Sequence, residues 1–293
     1  MSGKTFEQCK ENLGKVTDLP GLFELWREAH EAETREITQY CPKCNENRKW
    51  WFDEEYHKNK LDQKCTISSH FSQFFDTVRC QCAVREYGKQ SAWQYVLAHA
   101  FNPDGPVGEL KKDGYSYKYI VLLKEANDSS KVCVGNYFKE QNTANEWVSR
   151  WQEKKNKATM LEILKRSFSE IKINFPEEVA YMNINKRGGT SSTTGWDATA
   201  VVNYAKKYRE FILKEIDLLS EGQQKVTVFI CGKDASKIYG EKGNYAELIE
   251  DTLKEVQNVV FSKGKNVKFV SVTHPSGRIS VSKLADEMRG KRD

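Results

Sequence analysis

Val267-Lys-Phe-Val-Ser-Val272, running on into Thr273-His-Pro-Ser-Gly-Arg278, is the stretch on which the fold turns. Its first half is an apolar run bounded by polar residues, the pattern of a strand buried on both faces. A single histidine, His274, follows at once, with Pro275 and the small Ser276 and Gly277 behind it. Open α/β sheets place their chemistry at the carboxyl ends of their strands. His274 is therefore the residue against which the other strand ends are read.

Working back from it, the same kind of run recurs at Val226–Cys231, Val179–Ile184 and Tyr117–Leu123. Between these runs the apolar spacing changes to helical. Ala198–Leu219 is the clearest case, with Val201, Tyr204, Ala205, Tyr208, Phe211, Ile212, Ile216 and Leu219 along one broad side. Met160–Ile171 and Tyr245–Val256 read as helices too, as do Ala144–Trp151 and a last one at Ser280–Met288. Near-continuous apolar strands alternating with amphipathic helices predict an α/β fold. The expected form is a three-layer α/β/α sandwich with a central, mostly parallel four-stranded sheet.

All four strand ends carry polar or basic groups. They are Lys124-Glu-Ala-Asn-Asp-Ser129, Asn183 with Asn185-Lys-Arg-Gly-Gly189, Gly232-Lys-Asp234, and His274 to Arg278. One such end is ordinary loop composition. Four together point to a site.

The N-terminal part has a different character. Leu19–Thr38 has helical spacing and leads into Cys41-Pro-Lys-Cys44, and Cys80-Gln-Cys82 follows after a long aromatic-bearing insert. Two close cysteine pairs are how four thiolates reach tetrahedral geometry around zinc. Cys41, Cys44, Cys80 and Cys82 are the expected ligands of a structural Zn2+ in a zinc-ribbon-like module, with Cys65 or His70 as possible substitutes for one of them. Four protein ligands leave no open position for catalysis. Ser91–Ala100 reads as a helix, and the Asn102-Pro-Asp-Gly-Pro106 run after it makes a domain joint. Residues 1–100 are thus expected to form an N-terminal helix plus zinc module, and 101–293 the α/β domain.

The net charge of +5 over 293 residues is compatible with a phosphate-bearing partner without demanding one. No apolar run approaches a membrane span, and the N-terminus lacks a secretory pattern. The expectation is a cytoplasmic monomer with reduced cysteines, no membrane partner and no organic cofactor.

His274-Pro275-Ser276 at the end of the last strand resembles the His-Pro-Ser motif of the uracil-DNA glycosylase superfamily. Lys124-Glu125-Ala126-Asn127 stands where that superfamily has its first motif, Gly-Gln-Asp-Pro-Tyr in one branch and Gly-Glu-Ala-Pro-Gly in another. Val179–Asn183 falls where a strand-end asparagine reads the flipped base, and Ala198–Gly232 is similar to the family's helix, strand and glycine block. The resemblance covers roughly residues 115–285. Here Lys124 replaces the motif's glycine, Asn127 its proline, and Ala126 the water-activating aspartate of one branch, while Glu125 matches the glutamate of the other.

The resemblance implies a monofunctional DNA N-glycosylase that hydrolyses the bond between deoxyribose and a flipped base, leaving an abasic site; no lysine stands out as a Schiff-base nucleophile. Such a reaction needs a donor on the leaving base and a water-orienting or anionic group on the sugar side. His274 is the expected donor. Glu125 is the expected water-side group, with Asn127 and Asp128 as rivals. Asn183 is the expected base reader, with Asn185 as its rival, and Tyr137 and Phe138 either stack on the base or pack in the core. Lys186 and Arg187, with the glycine- and hydroxyl-rich run to Gly195, are candidates for a phosphate track. Ser276, Gly277 and Arg278 would approach the DNA beside the flipped nucleotide. The partner is then DNA, either duplex with base flipping or single-stranded. The altered first motif points away from plain uracil towards another damaged or modified base, including a modified cytosine of phage DNA in a defence role. The competing readings are a nucleic-acid-binding protein that keeps the fold without catalysis, and a hydrolase of free nucleosides or nucleotides.

Overall fold

Period-two alternation of apolar residues sends successive side chains to opposite faces of a sheet, so a strand buried on both faces needs a helical layer on each side. The computed structural model describes residues 4–36, 115–127, 159–175, 177–189, 195–233, 243–261, 264–275 and 279–290. Within them the strands are β1 (Tyr119–Asn127), β2 (Val179–Gly189), β3 (Lys225–Cys231) and β4 (Asn266–Val272). They form one four-stranded sheet in the order β2-β1-β3-β4, with every neighbouring pair parallel. The connecting helices are α3 (Thr159–Glu170) after β1, α4 (Gly195–Leu219) after β2, and α5 (Tyr245–Lys254) with the single turn α6 (Gln257–Val260) after β3. Helix α7 (Val281–Arg289) follows β4, and α1 (Phe6–Asn12) and α2 (Leu19–Glu36) precede the sheet.

The two faces separate cleanly. Val121, Leu123, Tyr181, Phe229, Cys231, Val270 and Val272 share one apolar cluster with Leu164 and Phe168 of α3 and Leu284 and Met288 of α7. Ile120, Leu122, Met182, Ile184, Val228, Ile230 and Phe269 share the other with α4 and α5. Each such side chain contributes about 1.5–3 kcal/mol when fully buried. This packing fixes which face of each helix turns inward. In β3 and β4 the last four residues are all buried, so the sheet is most deeply covered toward its carboxyl edge.

Strand order then selects a crevice. The chain leaves β1 through α3 on one face and leaves β3 through α5 on the other, in opposite directions along the sheet. The carboxyl ends of these adjacent strands are the topological switch point, where open α/β sheets bind ligands.

Helix α1 was not foreseen in the sequence; a capping box at Thr5 and Gln8 starts it. Phe6 and Cys9 of α1 and Leu22, Trp26 and Ala29 of α2 belong to the same core cluster as α4. Trp26 donates its indole N–H to the Tyr204 hydroxyl oxygen at 2.9 Å, and the same hydroxyl lies 2.8 Å from His30 Nε2. An indole can only donate, so the Tyr204 oxygen is the acceptor in the bond to Trp26. Tyr208 stacks on Tyr204 at 4.4 Å. The N-terminal helices α1 and α2 are therefore packed into the same core cluster as α4. The four cysteines expected to hold zinc, and the helices expected at 91–100 and 144–151, lie outside the described residues.

Two strands run further than their apolar composition suggests. β1 was expected to end at Leu123 and continues to Asn127; β2 was expected to end at Ile184 and continues to Gly189. The extra residues pair with each other, Glu125 with Asn185 and Asn127 with Gly189, across a register shift. Parallel pairing supplies the backbone hydrogen bonds that keep these polar stretches extended. Lys124–Asn127 is thus part of the ladder rather than a loop after it.

Candidate active site

Register places the strand ends relative to one another. Leu122 pairs with Met182 on one side and Ile230 on the other, and Ile230 pairs with Ser271. The ladder between β3 and β4 ends at Cys231 and Val272, and His274 follows two residues past that end. Glu125 and Asn185 are themselves register partners. Asn183 lies one pleat deeper, level with Leu123, Cys231 and Val272. Neighbouring strands are about 4.8 Å apart, so the β1 and β4 ends stand about 10 Å apart with β3 between them.

The β4 end is held from three directions. The Val272 carbonyl accepts from Gly232 N at 2.8 Å and from Lys233 N at 3.0 Å, tying it to the end of β3. The Thr273 N–H donates to Glu287 Oε2 of α7 at 2.7 Å, and the Thr273 hydroxyl donates to Glu287 Oε1 at 3.0 Å. On the opposite face Ser271 Oγ donates to Glu250 Oε2 of α5 at 2.8 Å. Beyond these anchors His274 is half-buried and Pro275 buried. Proline holds its own φ near −65° and disfavours the helical region for the residue before it, so the His274 backbone stays extended.

Gly232 makes the β3–β4 junction possible. Its φ is +130°, and a Cβ there would stand 2.6 Å from Cδ1 of the buried Tyr245 ring. Both the conformation and the space exclude a side chain. Gly232→Ala is expected to destabilise the fold by about 1–3 kcal/mol, read as a lower midpoint in urea unfolding. An unchanged midpoint would show that Tyr245 yields and that the junction is not under this constraint.

Asn183 and Asn185 are both buried, at 3% and 1% exposure. They sit two residues apart on the strand face that carries Tyr181, toward α3 and α7. An amide side chain carries both donor and acceptor groups, the chemistry that a base edge calls for.

Lys186 departs from expectation. It was read as part of a surface phosphate track, but it is 0% exposed and forms an ion pair with Glu215 of α4 at 2.8 Å. Its ammonium also lies 5.2 Å from the Trp26 ring and 5.9 Å from the Phe23 ring of α2. The cause is the extra length of β2. Because the strand continues past Ile184, alternation turns position 186 to the face of Ala180, Met182 and Ile184, under α4 and α2. A lysine so placed does not contact a DNA backbone.

Glu125, Asn127 and Arg187 have their backbones in the β1–β2 ladder. Asp128, Tyr137, Phe138, Ser276, Gly277, Arg278, Cys41, Cys44, Cys80 and Cys82 lie outside the described residues. Sequence reasoning missed Glu287 and Glu250. On their helices they look like ordinary solvated carboxylates, and only the packing of α5 and α7 on β4 brings them to it. Among the described residues no helix is long and apolar enough to cross a membrane.

The sequence matches no family model and no curated protein, so the site's meaning rests on this geometry and on the motif resemblance.

Proposed function

We propose that the chain is a monofunctional DNA N-glycosylase that hydrolyses the glycosidic bond of a flipped, damaged or modified base. The observation that carries this reading is that Glu125 and Asn185 are register partners toward the carboxyl ends of β1 and β2, while His274 follows the carboxyl end of β4, at the same edge of an all-parallel sheet. It is supported by the resemblance of His274-Pro275-Ser276 and of the first-motif segment to the uracil-DNA glycosylase superfamily.

As the bond between C1′ and the base nitrogen lengthens, positive charge grows on the sugar and negative charge on the base. His274 donates a hydrogen bond to a carbonyl oxygen of the departing base, a contact that strengthens as that charge develops. Its backbone anchors hold it in place before reaction, so little reorganisation is needed. Glu125, two strands away, is assigned to the sugar side, where a carboxylate orients water and faces the cation. Asn127 and Asp128 are its alternatives. Asn185, the register partner of Glu125, reads the base edge; Asn183, one pleat deeper, is the second candidate. Arg187, Ser276, Gly277 and Arg278 remain assigned to DNA contact, and Tyr137 or Phe138 to stacking on the base. The target is a base other than plain uracil.

The deciding assay incubates the purified chain with duplex and single-stranded DNA carrying uracil, hypoxanthine, or hydroxymethylated or glucosylated cytosine, followed by alkali. Strand breaks at the modified position, absent in His274→Ala, support the proposal. Tight DNA binding with no breaks on any substrate supports instead a binding protein of the same fold. Release of base from free nucleosides alone supports the small-substrate hydrolase.

Cys41, Cys44, Cys80 and Cys82 are proposed as ligands of a structural zinc, on their paired spacing. Elemental analysis of the purified chain is expected to find one zinc per molecule, and a Cys41→Ser/Cys44→Ser variant is expected to lose it. Retained stoichiometric zinc in that variant would remove these ligands from the proposal.

A further inference from the structure

We propose that Glu287 is the positioning residue for His274, an inference that rests on the reading of His274 as the base-side donor. The peptide unit joining Val272 to Thr273 is fixed at both of its polar groups. Its carbonyl accepts from the N–H groups of Gly232 and Lys233, at 2.8 and 3.0 Å. Its N–H donates to Glu287 Oε2 at 2.7 Å, while the other carboxylate oxygen accepts from the Thr273 hydroxyl at 3.0 Å. A peptide plane held on both edges does not rotate, and it leads into Thr273, whose hydroxyl the same carboxylate holds and whose next neighbour is His274. Pro275 limits the remaining freedom on the far side.

The need for such a clamp follows from topology. Among the described residues β4 is an edge strand that pairs with β3 alone, and past Val272 none of them continues the ladder. A side chain from a helix must supply the acceptor that a strand would otherwise provide. A charged acceptor makes a shorter and stronger bond than a neutral one, so the carboxylate suits a position where small displacements matter. Helix α7 is itself fixed: Leu284, Ala285 and Met288 are buried against the sheet, and Ser167 of α3 donates to the Val281 carbonyl at 3.1 Å. The end of β4 and helix α7 are thus tied together, and through that tie α7 sets where the imidazole stands.

The role is tested on the full chain through two independent readouts. The first is the imidazole signal of His274 in a 15N-labelled sample, assigned among the five histidines by comparison with His274→Gln. The second is the kcat and KM for excision. Glu287→Ala is expected to shift or broaden the His274 signal while leaving the other histidines in place. It is also expected to lower kcat about tenfold to a hundredfold with little change in KM. Glu287→Gln keeps an acceptor in the same position and is expected to restore most of both. Where Glu287→Ala does not fold, Glu287→Asp withdraws the carboxylate by one methylene and is read in the same way. A Glu287→Ala or Glu287→Asp protein whose His274 signal and kcat match the wild type, with only a lower Tm, overturns the proposal. If the wild type excises no base at all, the glycosylase reading falls, and the imidazole signal alone still decides whether Glu287 positions His274.

Discussion

His274→Ala is expected to lower the rate of base excision by about a hundredfold to a thousandfold while leaving DNA affinity nearly unchanged. The magnitude is that of removing one preorganised donor from a developing oxyanion. The selectivity for rate over binding follows from when the contact matters. The base oxygen carries little charge in the ground state and much more as the bond breaks, so the lost interaction belongs mainly to the transition state. DNA affinity comes largely from phosphate contacts elsewhere. Single-turnover kinetics with saturating enzyme, beside a salt-matched binding titration, separates the two quantities. A variant with wild-type single-turnover rate would remove His274 from the chemistry, and with it the main support for the proposed function. A variant that loses binding and rate equally would instead mark His274 as a contact to the ground-state DNA.

Lys186→Met should be the most damaging single change to the fold, costing about 3–5 kcal/mol. Lys186 is 0% and Glu215 1% exposed, and they meet at 2.8 Å beneath α2 and α4. Methionine matches the lysine stem in length and preserves its packing over Trp26, so the loss isolates the charge. What remains is a carboxylate inside the core with its cation removed. Combined with Glu215→Leu, the same substitution is expected to recover most or all of the stability, because a well-packed apolar pair avoids the desolvation of both ions. Urea unfolding of the wild type, the single variant and the double variant tests both statements. A single variant within 1 kcal/mol of wild type, a bound of about one ordinary hydrogen bond, would show that Glu215 is neutralised by something other than Lys186. The double variant also asks why the pair exists. If it is stable and still active, the ion pair serves neither stability nor catalysis. If it is stable but inactive, the pair sets the path of β2 through Asn183 and Asn185.

Much of the architecture was readable in the sequence because hydrophobic periodicity is local. The observed β3 and β4 begin one residue earlier than Val226–Cys231 and Val267–Val272 and end where those runs end. Helix α4 covers the expected Ala198–Leu219 with three more residues at its start. Where strand residues are polar, periodicity gave no help. Lys124–Asn127 and Asn185–Gly189 look like loops, and only their mutual pairing makes them strand. Lys186 was misplaced for the same reason: a lysine after an apolar run suggests a surface, until the run proves longer and turns it inward toward Glu215. Thr5 and Gln8 do form a capping box, but the short α1 that follows lacks the long apolar stripe that would have drawn attention to it.

The sequence alone determined that apolar strands alternate with amphipathic helices, and hence a covered parallel sheet with His274 just past the end of its last strand. Apolar burial and period-two or helical spacing are properties of neighbouring residues, which a chain carries whatever its distant contacts are. The tertiary structure alone decided that β1 and β3 lie side by side, that Glu125 and Asn185 are partners, that Lys186 lies inside, and that Glu287 holds the peptide between Val272 and Thr273. Strand order and register are set by pairing between segments as far apart in sequence as Tyr119 and Thr227, a separation over which no local pattern specifies the pairing.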